Sequence, residues 1–192
     1  MPPWHAPCFP STTKAPQKAP MPAFLHPEPM TPQAFAAYGT VVAPFPHDQP
    51  PAGARAINGG TTWRLDLLAD LDLHQGGGTP GLAVYSAAAR TFPLALEEME
   101  RHTQGSQSFL PLGIARFVVV VAPAGAAPNA SDLKAFITNG QQGVVLHPGT
   151  WHHGLVAVDA GSFAVVERHG APGAAVDCDV VRMGPGIWLE VQ

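Results

Sequence analysis

The sequence predicts an all-β domain: a small closed or sandwiched barrel of short strands with a few short helices. Three observations carry this. Gly (20) and Pro (22) are abundant while charged residues make up only 12%, a balance that suits many short strands joined by turns and not long surface helices. Apolar residues are 46% of a 192-residue chain, ample for one buried core at the size of a single domain. The strongest apolar run, Phe117-Val-Val-Val-Val-Ala122, shows no alternation and is closed by Pro123, as a strand buried on both faces would be.

The same composition excludes several function classes. A formal net charge of −4 provides no basic field for nucleic acid, so polyanionic partners are not expected. The run at 117–122 is far short of the ~20 residues of a membrane helix. Two cysteines, Cys8 and Cys178, give neither a disulfide framework nor a Cys-pair zinc motif. No basic start followed by an apolar stretch opens the chain, so no secretory signal is expected and a reducing cytoplasm is the default compartment.

In chain order, residues 1–22 read as a disordered Pro-rich leader. A barrel domain is expected over 23–183 and a tail over 184–192. Thr31–Gly39 reads as a short helix, with Thr31 as N-cap, Pro32 in the first turn and Gly39 as the C-terminal stop. Val41-Val42 begins a strand, and residues 43–54 form a Pro-rich loop. Asn58-Gly59-Gly60 turns into a strand whose alternation groups Thr62, Arg64 and Asp66, either as a site face or as an exposed strand face with an ion pair. Gly76-Gly77-Gly78 is a plain loop, because no phosphate-binding spacing follows it. Leu82 to Ser86 is a further short strand.

Leu94 to Arg101 is rich in helix formers and suits a surface helix as well. Read as one strand, as the later segments favour, residues 94–102 place Leu94, Leu96, Glu98, Glu100 and His102 on one face. That face begins apolar and ends in two carboxylates and an imidazole, as a barrel wall does where core gives way to pocket. Gly105 permits a tight connection, and Gln107 to Leu112 returns as the next strand. Ser131 to Ile137 is either a helical turn or a strand, and Asn139-Gly140 is a hairpin-type turn. Gly143 to Leu146 is a strand that enters the turn before His147, His152 and His153. Phe163 to Glu167 and a closing strand near Asp177–Val181 complete the set.

Two polar clusters stand out, Glu100/His102/Gln107 and His147/His152/His153. Inward polar side chains are costly unless paired or used, and both metal sites and acid–base sites draw on these residue types. Pro148-Gly149-Thr150-Trp151-His152 resembles the second cupin motif, a Pro-Gly turn followed by an inward histidine. Glu100-x-His102 with Gln107 stands where the first cupin motif has His-x-His and then Glu.

A fuller resemblance, from about Met30 to Val181, is to the ureidoglycolate lyase family. It is carried by Thr31–Gly39, Ile57–Thr61, Glu100–His102, Gly105–Phe109, Phe117–Ala122, Lys134–Gly140, Gln142-Gly143, Trp151–His153 and Asp177–Asp179. The resemblance implies a cupin-type double-stranded β-helix. It also implies cleavage of ureidoglycolate to glyoxylate and urea in allantoin breakdown, a nickel ion in some members, and a homodimer. The chain departs from the family at Ser86, where a basic residue is expected, and at Leu65 and Asp66, where an aromatic and a His are expected. Leu146 replaces a Tyr, and Gly154 a Pro.

The substrate carries a hydroxyl, a urea nitrogen and a carboxylate on one carbon. Its elimination needs a base, an acid and a cation. His102 or His152 can serve as base, and Glu100 can orient that imidazole or deliver a proton. Arg64 can hold the carboxylate, with Gln107, His147 and His153 as further substrate contacts. A divalent metal would sit on Glu100, His102, Gln107 and His152. The Ser86 and Asp66 departures keep two alternatives open: a cupin isomerase or lyase for another small hydroxy acid, and a non-catalytic metabolite-binding cupin.

Overall fold

Phe117–Ala122 is a strand with all six residues buried, and its alternation divides the interior in two. Phe117, Val119 and Val121 pack in one cluster with Phe35, Phe109, Phe136 and Phe163. Val118, Val120 and Ala122 pack in the other with Leu96, Met99, Leu133, Trp151 and Leu189. Each such side chain removed from water contributes about 1.5–3 kcal/mol, so this strand serves two cores at once.

The computed structural model describes residues 22–192. The Pro-rich leader expected over 1–22 lies outside the described residues except for Pro22. Two sheets enclose the first cluster. One runs Gly39–Val42, Gly143–Leu146, Gln107–Pro111, Gly161–His169 and Thr79–Ala87, antiparallel throughout. The other runs Asp179–Arg182, Glu98–Arg101, Trp151–His152, Phe117–Ala122, Lys134–Ile137 and Glu28–Pro29, with Val156–Ala157 also paired to Phe117–Ala122. The predicted all-β, cupin-like fold is therefore present. A three-stranded sheet, Ala23–Leu25, Ile187–Leu189 and Leu94–Ala95, covers the second cluster. Arg55–Ile57 and Thr62–Arg64 form a separate two-stranded ribbon. Among the described residues, no helix is long and apolar enough to cross a membrane.

Four expectations differ from the structure in detail. The strand expected over 94–102 is two strands, Leu94–Ala95 and Glu98–Arg101, in different sheets. The break at Leu96-Glu97 turns Leu96 into the cluster around Met99, so it does not share a face with Glu100. The helix after Thr31 is only Pro32–Phe35, with the Thr31 hydroxyl accepting from the Ala34 N–H at 3.2 Å. Gly39 does not stop that helix; it opens a strand so close to its neighbour that a Cβ would meet the Val145 carbonyl oxygen. The stretch before Ile137 contains both alternatives, a 3-10 turn at Ala130–Asp132 and a strand at Lys134–Ile137. Finally, the expected tail over 184–192 contains the strand Ile187–Leu189, with Ile187 and Leu189 buried.

Candidate functional site

Alternation within Glu98–Arg101 turns Met99 into the second core and leaves Glu100 on the opposite face. His102 follows at the end of the strand. Trp151–His152 pairs with this strand with His152 opposite Glu100, which places the two side chains on one face. The turn before Trp151 is made possible by Gly149, whose φ of 82° is a left-handed conformation that favours glycine. The Gly149 N–H is donated to the His102 carbonyl at 2.6 Å, tying the turn to the neighbouring strand.

Glu100, His102 and His152 converge, each offering one ligand atom within 4.8 Å of the others. His152 Nδ1 lies 3.8 Å from Glu100 Oε1, and the two imidazole centroids are 5.5 Å apart. His102 Nδ1 is 2.6 Å from the Asp177 carbonyl oxygen. A carbonyl only accepts, so Nδ1 carries the proton and Nε2 keeps a free lone pair. His152 Nδ1 is related in the same way to the His153 carbonyl, at 3.3 Å.

Gln107 comes from the facing sheet. Its Nε2 donates to Glu167 Oε2 at 2.8 Å, which fixes the amide with Oε1 as the remaining acceptor. Burial, then the Glu167 and Glu100 charges, push the Tyr85 phenol above its ordinary pKa. Gln107 and Glu167 both lie on the sheet that faces the triad's sheet across the first core.

Three buried polar atoms, His102 Nε2, Gln107 Oε1 and His152 Nε2, have no hydrogen-bond partner among the described residues. Leaving a buried polar group unpaired costs about 1–3 kcal/mol, a cost that a cation held between the two imidazoles would relieve. Glu100, His102 and His152 are spaced as a possible metal-binding triad whose nitrogen and oxygen donors suit a divalent metal. Burial, followed by repulsion from His102, lowers the His152 pKa to about 3, so the ring is neutral and free to act as a ligand.

Of the site residues expected from sequence, Glu100, His102 and His152 are brought together, and Gln107 is buried on the facing sheet. The other three are placed elsewhere. Arg64 lies exposed on the two-stranded ribbon, where Asp66 binds its guanidinium at 2.7 Å. His147 is exposed at the turn, and His153, one step beyond His152, has its Nδ1 2.9 Å from the Gly154 carbonyl at the surface. Ser86 is exposed in the register of Leu82 and Val84, on the face opposite the packed Ala83 and Ala87. Neither Ser86 nor Asp66 thus alters the hollow. Glu167 and Tyr85 were missed, although alternation was a usable signal. Phe163 and Val165 point inward and Glu167 continues their face, as Tyr85 continues that of Ala83.

Comparison with known proteins adds an independent finding. The sequence model of a family described as ureidoglycolate lyase matches residues 22–190. A protein of Burkholderia cepacia named ureidoglycolate lyase is 45% identical over 169 residues, covering 86% of this chain and 89% of its own length. Proteins of the same name from Burkholderia mallei (strain NCTC 10229) and Pseudomonas aeruginosa (strain LESB58) are 42% identical over 144 residues and 39% over 145. These cover 74% and 75% of this chain and 81% and 83% of their own lengths.

Proposed function

Because the chain belongs to the ureidoglycolate lyase family, we propose that it splits ureidoglycolate into glyoxylate and intact urea at the hollow between Glu100, His102, Gln107 and His152. The observation that supports this reading is the meeting of one carboxylate with two histidines whose Nε2 atoms are buried and unpartnered among the described residues. A hollow with that lining needs a cation before it can receive an anionic substrate, and the hydrogen bonds and ion pairs of these four residues involve no Lys or Arg among the described residues.

Glu100 moves the proton. Its carboxylate is about one-third exposed and exchanges with solvent, while neutral His152 holds too weak an affinity for a proton to carry one between steps. The substrate hydroxyl gives its proton to Glu100, the oxygen electrons close to the aldehyde C=O, and the C–N bond breaks. The departing urea nitrogen then takes the proton back from Glu100, so that atoms and charges balance. Gln107 and Glu167, joined by their hydrogen bond on the facing sheet, offer acceptors that would suit the N–H groups of a ureido substituent.

A divalent cation, nickel by family resemblance, fits on Glu100, His102, Gln107 and His152, where it would supply Lewis acidity toward the substrate hydroxyl or carboxylate. The surface position of Ser86 and the Asp66–Arg64 pairing favour the family's own substrate over another hydroxy acid, since neither departure reaches the donor set. A homodimer in the cytoplasm, acting late in allantoin and purine breakdown, completes the reading on the strength of resemblance.

The test is to incubate the purified full chain with ureidoglycolate and measure glyoxylate and urea. Equal amounts of both are expected, and Glu100→Gln should slow their release by roughly 10²–10⁴-fold, the usual size of a proton-transfer contribution. Ammonia in place of urea, or no product at all, would refute the proposal.

A further inference from the structure

Three consecutive residues outside the donor set grasp the strand that carries it. The Asp179 carboxylate binds the Arg101 guanidinium at 2.8 and 2.9 Å, on the face where that guanidinium stacks 4.5 Å from the Trp151 ring centre. Cys178 donates its thiol to Glu100 Oε2 at 3.7 Å. Asp177 acts at both its carboxylate and its carbonyl. The carboxylate accepts from the Thr103 N–H and hydroxyl at 2.9 and 3.0 Å and from the Gln104 N–H at 2.8 Å. The carbonyl accepts from His102 Nδ1.

The register shows why these contacts fall together. Asp179–Arg182 is laddered to Glu98–Arg101 with Asp179 opposite Arg101, and the ladder stops there. Past that point the N–H groups of Thr103 and Gln104 have no strand partner, and the Asp177 carboxylate takes both. Holding that carboxylate in place fixes where the next carbonyl points, and it points at the His102 ring. Its hydrogen bonds keep the Asp177 carboxyl below its ordinary pKa despite the opposing effect of partial burial.

We propose that Asp177 and Cys178 are positioning residues: Asp177 presets His102 with its proton on Nδ1 and its lone pair on Nε2, and Cys178 fixes the orientation of the Glu100 carboxylate. This rests on the proposed reading of Glu100 as proton carrier and His102 as a metal donor, and it explains why a segment 75 positions from His102 is tied to it. Partners of this kind orient metal-holding imidazoles and carboxylates, and their loss weakens metal affinity about 10–100-fold.

The full chain, freed of metal, tests this without any substrate. The ring-nitrogen NMR signals of His102 should report a single Nδ1–H tautomer in the unaltered protein. Asp177→Ala should give a mixture of tautomers and bind Ni²⁺ about 10–100-fold more weakly by calorimetry. Asp177→Asn, which keeps one acceptor oxygen, should fall between the two. Cys178→Ala should leave the tautomer unchanged and weaken Ni²⁺ binding about tenfold. An Nε2–H tautomer in the unaltered protein overturns the proposal, as does wild-type Ni²⁺ affinity in both Asp177→Ala and Cys178→Ala. If Asp177→Ala fails to fold, the unaltered protein's tautomer and the Cys178→Ala titration decide alone. Neither readout uses ureidoglycolate, so a failure here is separable from a failure to release urea.

Discussion

Enclosure makes His152 a neutral ring. Its pKa of about 3, against 6.5 for a free imidazole, results first from burial and then from His102. Between those values the unfolded chain binds a proton that the folded chain refuses, so stability is full above about pH 6.5 and falls as pH drops toward 3. In metal-free protein the melting temperature should therefore decline across that window, and His152→Asn should decline less steeply. Equal slopes for the two proteins would contradict the assignment. This residue was legible in sequence because the Pro148-Gly149 turn and strand alternation both aim it inward. The same alternation turns His153 away. The pairing of Arg64 with Asp66, two positions on, removes a cation that looked available. What sequence cannot display is a backbone acceptor such as the Asp177 carbonyl, since every residue has one.

Individual strands were legible in proportion to how little they depend on distant partners. Phe117–Ala122 declares itself because each of its six residues is apolar and buried. The stretch from Leu94 to His102 does not, because its break at Leu96-Glu97 is imposed by two different neighbours. Leu94–Ala95 pairs with Ile187–Leu189, and Glu98–Arg101 pairs with Asp179–Arg182. Both partners lie far along the chain, and the local pattern carries no trace of the division. Ile187–Leu189 looked like a tail for the same reason, being too short to stand without the sheet that receives it. Leu189 is completely buried, so Leu189→Ala should lower unfolding stability by about 2–5 kcal/mol in denaturant titration. A loss below about 0.5 kcal/mol, typical of surface positions, would mean that this strand does not seal the second core.

At the scale of the whole molecule, strands far apart in the chain bring one triad together. Glu98–Arg101 with the adjoining His102, and Trp151–His152, supply the triad from one sheet, while Gln107–Pro111 and Gly161–His169 carry Gln107 and Glu167 on the facing one. The all-β class followed from composition, and the pairing of the two motifs from their order. The third sheet over the second core was not legible, because its strands are two or three residues long. Removing bound metal with a chelator should lower the melting temperature, since a cation held at 100 times its dissociation constant adds about 2.7 kcal/mol. Restoring Ni²⁺ should reverse the change, whereas a chelator-indifferent melting curve would argue against a metal on these residues. The most direct measurement of the central claim is ureidoglycolate turnover by His152→Asn, in protein shown by circular dichroism to remain folded. The expected result is a loss of urea and glyoxylate release of at least about 100-fold, the upper end for a perturbed metal site and the lower end for a lost proton-transfer group. Release at the wild-type rate would contradict it.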